Sequence, residues 1–318
     1  MKRALALSAV LAAAARGTAS AAAAQFQGSV IYGSDTRIDL YQTNDARLLS
    51  LADSTVALFQ SGDVSAEGGV AALATRNYGE AMGLCKEEPF YEQGEGAFCS
   101  GSLVAPDVIL TAGHCVRSAE ECAGVKFVFG FAVKRKGALP ESVPAGDVYG
   151  CGELLGREQV DEGPDWALVR LDRKVAGHAP LKLNRSGRIE NKTELLVIGH
   201  PAGLPTKIAG GARVRDNSKE GFFVASLNTY GGNSGSAVFN SATGLVEGVL
   251  VRGEEDYVRK GDCRVSKVCP TDGCRGEDVT RISRIADKVS AAEHRARVAA
   301  LRPSIADALA NLKAGERR

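Results

Sequence analysis

Aromatic residues are scarce, at 6% of the 318-residue chain, with one Trp and two Met. A helix bundle is therefore a poorer match than a turn-rich β-protein, and 37 Gly point the same way. Neither sign of charge dominates: 39 Lys and Arg against 38 Asp and Glu give +1, which supplies no pull toward nucleic acid or an anionic membrane. Beyond the N-terminal leader, no segment reaches ~18 uninterrupted apolar residues, so no membrane span is expected in the mature form. No internal repeat of roughly 20 to 50 residues is evident, which argues against a solenoid or propeller. There is no Cys-x-x-Cys pair and no loop of regularly spaced acidic ligands, so no metal and no cofactor are expected. What remains, 44% hydrophobic and 24% charged, is an ordinary globular composition.

The chain opens with Lys2 and Arg3, then an Ala/Leu-rich run ending in small residues near Ala24, the pattern of a secretory signal peptide. Export agrees with eight cysteines, at 85, 99, 115, 122, 151, 263, 269 and 274, an even set suited to disulfides in a secreted or periplasmic protein. Taking away Lys2, Arg3 and Arg16 leaves 36 basic and 38 acidic residues, a balance of −2.

Short β-like runs dominate the rest. Ser54–Phe59 is the first, and the clearest hairpin is Ser102-Leu103-Val104, a turn at Pro106-Asp107, then Val108–Thr111. If cross-strand positions sum to about 213, Cys99 and Cys115 face each other at the open end and are expected to form a disulfide beside His114. Further runs at Val125–Ala132, Trp166–Leu171, Leu195–Ile198, Phe222–Ala225, Ser236–Phe239 and Leu245–Val251 are separated by Gly, Pro, Asp and Asn turns. Val30–Asp45 reads as polar and irregular, and Ser61–Gly96 as loop. Helical spacing is confined to the end, over Ile285–Leu301 and at Ile305, Leu309 and Leu312.

Three short stretches carry chemistry. Thr111-Ala112-Gly113-His114-Cys115 presents an imidazole among small residues after a strand, and Pro164-Asp165-Trp166-Ala167-Leu168 puts a carboxylate at a strand entry. Gly231-Gly232-Asn233-Ser234-Gly235-Ser236 places a hydroxyl in a tight turn. Together they supply a nucleophile, a base to take its proton, and a carboxylate to fix the tautomer of the base. The N–H groups of Gly232 and Ser234 are expected to form an oxyanion hole.

In the order His, Asp, Ser, these motifs resemble the trypsin-like serine endopeptidases over roughly Val30 to Ile285. The resemblance implies an all-β fold of two antiparallel Greek-key β-barrels with the active site between them, and Gly276–Ser283 resembles the last barrel strand, before a C-terminal helix. The division expected is a signal peptide at 1–24 and an N-terminal segment at 25–52 with a short propeptide to 29. Barrels follow at 53–178 and 179–285, then a helical tail at 286–318. Asn233 departs from the animal trypsins, whose Asp at that position pairs with a freed N-terminus. GGNSGS, Val30–Gly33 and Gly199-His200-Pro201 instead resemble the bacterial glutamyl endopeptidase branch, which implies maturation at Val30.

Protein or peptide substrates follow from the resemblance, with pocket residues at Asn228, Thr229, Leu250, Val251, Arg252, Glu277 and Asp278. Thr229 and Arg252 favour an acidic residue before the cut bond, the P1 position. Glu277 and Asp278 favour a basic one, and Leu250 stands where the glutamyl branch has a histidine. An α/β-hydrolase would need Ser before His, yet only His294 follows Ser234. The alternative of a different class is an inactive member of the fold that binds a protein or ligand through the old cleft.

Overall fold

A computed structural model describes residues 30–295; the signal peptide and propeptide expected at 1–29, and the tail from 296 to 318, lie outside the described residues. Twelve strands build two closed barrels. The first contains β1 (Thr55–Gln60), β2 (Cys99–Ala105), β3 (Val108–Thr111), β4 (Val125–Phe129), β5 (Val148–Gln159) and β6 (Asp165–Leu171). The second contains β7 (Glu194–Gly199), β8 (Lys207–Asp216), β9 (Phe222–Ala225), β10 (Ala237–Asn240), β11 (Val246–Arg252) and β12 (Glu277–Arg281).

Both barrels are antiparallel and share one connectivity. The first closes in the order β1-β2-β3-β6-β5-β4, with β4 returning to β1 through Lys126↔Phe59 and Phe127↔Leu58. The second closes as β7-β8-β9-β12-β11-β10, with β10 returning to β7 through Val197↔Val238. Closure leaves no long unpaired edge on either sheet.

Side-chain alternation explains where each strand lies. Leu195 and Val197 of β7 join the core inside the second barrel with Val214, Phe223, Val238, Leu250 and Val279. Their neighbours Leu196 and Ile198 join a different core, shared with Val56, Leu103, Ile109 and Leu168 of the first barrel. Each such fully buried aliphatic side chain contributes about 1.5–3 kcal/mol, so the contact between barrels is as strongly held as their interiors.

The sequence reading misses two barrel strands, β5 and β8. Both carry glycines at alternate or adjacent positions and long stretches of half-exposed residues, which obscures the hydrophobic alternation. Val30–Asp45 is not irregular: Ile31–Tyr32 pairs in parallel with Val268–Cys269, and Arg37–Asp39 pairs with β8 through Lys207↔Asp39 and Ala209↔Arg37. Nor is Ser61–Gly96 mainly loop, since it holds the hairpin Val64–Glu67/Val70–Leu73 and the helix Tyr78–Met82. A helix at Ala46–Asp53, capped by the Asp45 carboxylate on the N–H groups of Arg47 and Leu48, is also missed, although Leu48, Leu51 and Ala52 carry helical spacing. At the C-terminal end residues 286–295 are helical, with Val289 and Ala292 buried.

Four disulfides pair all eight cysteines: Cys85–Cys263, Cys99–Cys115, Cys122–Cys151 and Cys269–Cys274. Among the described residues, no helix is long and apolar enough to cross a membrane.

Candidate active site

His114 lies just past β3, and Asp165 is the first residue of β6, which pairs with β3 through Ala167↔Thr111. That register brings imidazole and carboxylate together: His114 Nδ1 is 2.7 Å from Asp165 Oδ2. The other carboxylate oxygen accepts the N–H groups of Gly113 at 2.5 Å and His114 at 3.2 Å. Asp165 is 2% exposed, so its charge is held by three donors in a place that water barely reaches. The His114 side chain keeps 21% exposure.

Gly113 is required by close approach. A Cβ there would meet the carbonyl oxygen of Trp166 at 2.9 Å and Asp165 Oδ1 at 3.0 Å, besides the carbonyl of Glu158. Asp165 is also pinned from the second barrel, because the Thr280 hydroxyl accepts from its N–H at 3.0 Å and donates to its carbonyl at 2.9 Å.

Ser234 comes from the loop between β9 and β10. Gly232 and Gly235 both have φ +91, a conformation that L side chains rarely adopt. A Cβ on Gly232 would also meet Gly203 N at 2.7 Å and the His200 carbonyl at 2.9 Å. The first barrel grips this loop through Ser100. Its hydroxyl donates to the Gly232 carbonyl at 2.9 Å, and its N–H donates to the Ser234 carbonyl at 2.8 Å. The Cys99–Cys115 disulfide lies against the same segment, with Cys115 Sγ 3.7 Å from the Ser234 carbonyl oxygen. Cys99, His114 and Cys115 place their donor atoms within 4.8 Å of one another, but both sulfurs are bonded to each other and unavailable as thiolate ligands.

Asn233 is 2% exposed and braces the loop internally. Its Nδ2 donates to Thr229 Oγ1, and its Oδ1 accepts from the Ser236 hydroxyl at 3.1 Å. The N–H of Asn233 reaches back to the Tyr230 carbonyl at 3.0 Å, closing a turn over 230–233. Among the described residues, the N–H groups of Gly232 and Ser234 donate to no backbone acceptor, and no hydrogen bond joins Ser234 Oγ to His114.

The other expected pocket residues divide. Asn228 ties down the N-terminal segment: its Oδ1 accepts from Tyr32 N at 2.7 Å, and its Nδ2 donates to the Ser34 carbonyl at 2.6 Å and Thr36 Oγ1 at 3.1 Å. Leu250 and Val251 are buried, and Leu250 exchanges backbone hydrogen bonds with Gly235 and Ser236. Arg252 turns to Asp278, with Nε 3.0 Å from Oδ2, and donates to the Gly163 carbonyl; Arg275 reaches the same oxygen at 2.6 Å. Glu277 is fully buried and accepts from the Tyr32 hydroxyl at 3.3 Å. Burial, aided by the Glu277 charge, pushes the Tyr32 phenol well above its ordinary pKa. A cleft of about 450 Å³ opens beside Gly231, lined by Ala202, Gly253, Glu254, Glu255, Asp256 and Tyr257 among others.

His200 also lies beneath this loop. It is fully buried with Nδ1 2.9 Å from the Leu204 carbonyl, and burial pushes its imidazole down to about 3. Ser100, Thr280 and Tyr230 were missed by sequence reasoning. A signal existed for Ser100 only: it is one of two small hydroxyl residues in β2, a strand buried along its full length.

Residues 99–249, a stretch containing His114, Asp165 and Ser234, match the family model described as Trypsin-like peptidase domain. That similarity covers just under half of the chain and falls on the two six-stranded antiparallel barrels. Over 77 residues it is 37% identical to human chymotrypsin-like elastase family member 3B, a match spanning 24% of this chain and 28% of that protein. Among solved structures, an atomic-resolution structure of HBP aligns over 82% of this chain and 96% of its own at 14% identity and TM-score 0.47. A double mutant of human heparin binding protein aligns over 83% and 97% at 13% identity and TM-score 0.49. Membership of the glutamyl endopeptidase branch does not emerge from these matches.

Proposed function

We propose that the protein is an exported serine endopeptidase that cuts peptide bonds through an acyl-enzyme intermediate. The observation that carries this reading is the His114–Asp165 pair: a buried carboxylate, held by two backbone N–H groups, 2.7 Å from Nδ1 of a partly exposed imidazole. Asp165 fixes the tautomer with the proton on Nδ1, which leaves Nε2 as the base. Ser234 Oγ attacks the carbonyl as His114 takes its proton, and His114 then gives that proton to the leaving amine. Water repeats the sequence on the ester. Negative charge on the carbonyl oxygen is met by Gly232 N–H and Ser234 N–H, at about 3 kcal/mol of transition-state stabilisation per donor.

A basic P1 residue is the preference we favour. Each group supporting an acidic P1 is otherwise engaged or apolar: Thr229 Oγ1 accepts from Asn233, Arg252 pairs with Asp278, and Leu250 carries no charge. The cleft beside Gly231 has Glu254, Glu255 and Asp256 on its wall against one cation, Arg264, with Glu254 itself paired to Lys267. Opposite charge at partial desolvation selects a cationic side chain over an anionic one. Digestion of a peptide library, read by mass spectrometry, tests both points. Cuts after Arg or Lys that vanish in Ser234→Ala support the proposal; cuts after Glu overturn the preference, and no cuts overturn the activity.

The second reading, a binding module without turnover, is favoured by one observation, the missing hydrogen bond between Ser234 Oγ and His114 among the described residues. Such contacts tighten in substrate complexes, so the apo separation weighs less than the formed His114–Asp165 pair.

A further inference from the structure

We propose that Arg37 is a positioning residue for the nucleophile loop: its buried guanidinium forms the floor under Tyr230, the residue that begins the turn leading to Ser234. The inference rests on the reading of that loop as catalytic.

Arg37 lies in the short strand Arg37–Asp39 on the edge of β8, far from Ser234 in sequence. Its side chain is 1% exposed. Burying a guanidinium costs several kcal/mol unless it is paired, and here the pairing is partial. Nε and Nη2 form a two-pronged contact with Asp35, at 2.9 and 2.7 Å, whereas Nη1 is buried with no hydrogen-bond partner. The face of the group is matched instead by rings. Its central carbon is 4.0 Å from the Tyr230 ring centroid and 5.3 Å from that of Phe90. Cation–π contacts that exclude water are worth about 2 kcal/mol each.

Phe90 adds an independent observation. It holds φ +64, a left-handed conformation that is strained for a bulky side chain, and its ring lies against both Arg37 and Lys207. A strained aromatic and an incompletely bonded buried cation together mark a place where local stability is given up for arrangement.

The arrangement concerns Tyr230. Its ring is 5.0 Å from that of Tyr257, and its hydroxyl reaches Ser266 Oγ, so it is held on its flank and tip as well as by Arg37. The Tyr230 carbonyl accepts the Asn233 N–H, which sets the turn that orients Gly232 and Ser234. The Arg37 side of the clamp is itself anchored, because Tyr32, Ser34 and Thr36 are bonded to Asn228 on the far side of the same loop. The cation that orders this loop is therefore an internal side chain carried by the N-terminal segment.

Hydrogen exchange of the full chain tests the inference without turnover. In Arg37→Met, the amides of 230–236 are expected to exchange about thirtyfold faster, as loss of one desolvated cation–π contact would give, while those of β2 and β3 stay unchanged. Arg37→Lys, which keeps a cation under the ring, is expected to restore most of the protection. In parallel, kcat should fall about tenfold in Arg37→Met with KM within about twofold, a split that general destabilisation would not produce. Unchanged exchange at 230–236, or faster exchange of β2 and β3 to the same degree, overturns the role of Arg37. A wild type that cuts no peptide overturns the proposed function instead, and exchange alone then decides the clamp.

Discussion

The hydroxyl of Ser100 donates to the carbonyl oxygen of Gly232 across the boundary between the barrels, at 2.9 Å. Fixing that carbonyl fixes the peptide planes on either side of it, and hence the direction of the N–H groups proposed to meet the oxyanion. Ser100→Ala removes this bond and the acceptor for His200 N–H. We expect kcat to drop about tenfold with little change in KM, and stability to fall by about 1–3 kcal/mol. Steady-state kinetics and urea unfolding of the variant check both.

Asp165→Asn keeps the size and one acceptor oxygen but no longer holds the proton on His114 Nδ1. A fall in kcat/KM of about 10⁴-fold is expected, because the wrong tautomer leaves no base at Nε2. Folding should survive, since the amide oxygen can still accept from Gly113 and His114. The comparison to make is peptide hydrolysis beside circular dichroism of the same preparation.

Thr280→Val tests the pin between barrels. Its hydroxyl makes two bonds to the Asp165 backbone, and both donor and acceptor are left unmatched on substitution. A loss of about 1–3 kcal/mol in unfolding free energy is expected, read from the urea midpoint.

His200 links stability to acid. Its folded-state pKa of about 3 lies below the ordinary 6.5 because the imidazole is buried. Between these values the unfolded chain binds the proton and the folded one does not, so stability is full above about pH 6.5 and declines as pH falls toward 3. Replacing His200 with Gln should flatten the slope of unfolding free energy against pH over that window. An equal slope in both proteins would assign the acid sensitivity to other groups.

The Cys122–Cys151 bridge joins the short helix Ala119–Ala123, which precedes β4, to β5, at a sequence separation of 29. Replacing both cysteines by Ser should lower stability by about 3 kcal/mol through the freed unfolded chain, with kcat unchanged. Calorimetry of the double variant measures the loss.

Much of this was legible in the sequence, for identifiable reasons. Val108–Leu110 and Val249–Val251 are continuous apolar runs within their strands, and their burial follows directly. His114 is marked by small residues after a strand, Asp165 by its place at the entry of an apolar strand, and Ser234 by a glycine-rich tight turn. The structure brings the first two into contact and sets the loop of the third against the Cys99–Cys115 disulfide. What could not be read was partnership across distance. Nothing local in Arg37 says that it will be buried under Tyr230, and nothing in Asn228 says that it will bind the backbone of Ser34 rather than line a pocket. Glu277 and Asp278 are adjacent in one strand, so alternation sends them to opposite faces, and the pocket expectation that grouped them could not hold for both side chains equally.

Reaction with a fluorophosphonate tests the central claim most directly, because only a serine activated by its neighbours attacks that phosphorus at a useful rate. Intact and peptide mass spectrometry should find one adduct, on Ser234, in the wild type and none in His114→Ala. A wild-type protein that acquires no adduct at Ser234, or one that His114→Ala acquires equally fast, would contradict the assignment of Ser234, His114 and Asp165 as a working unit.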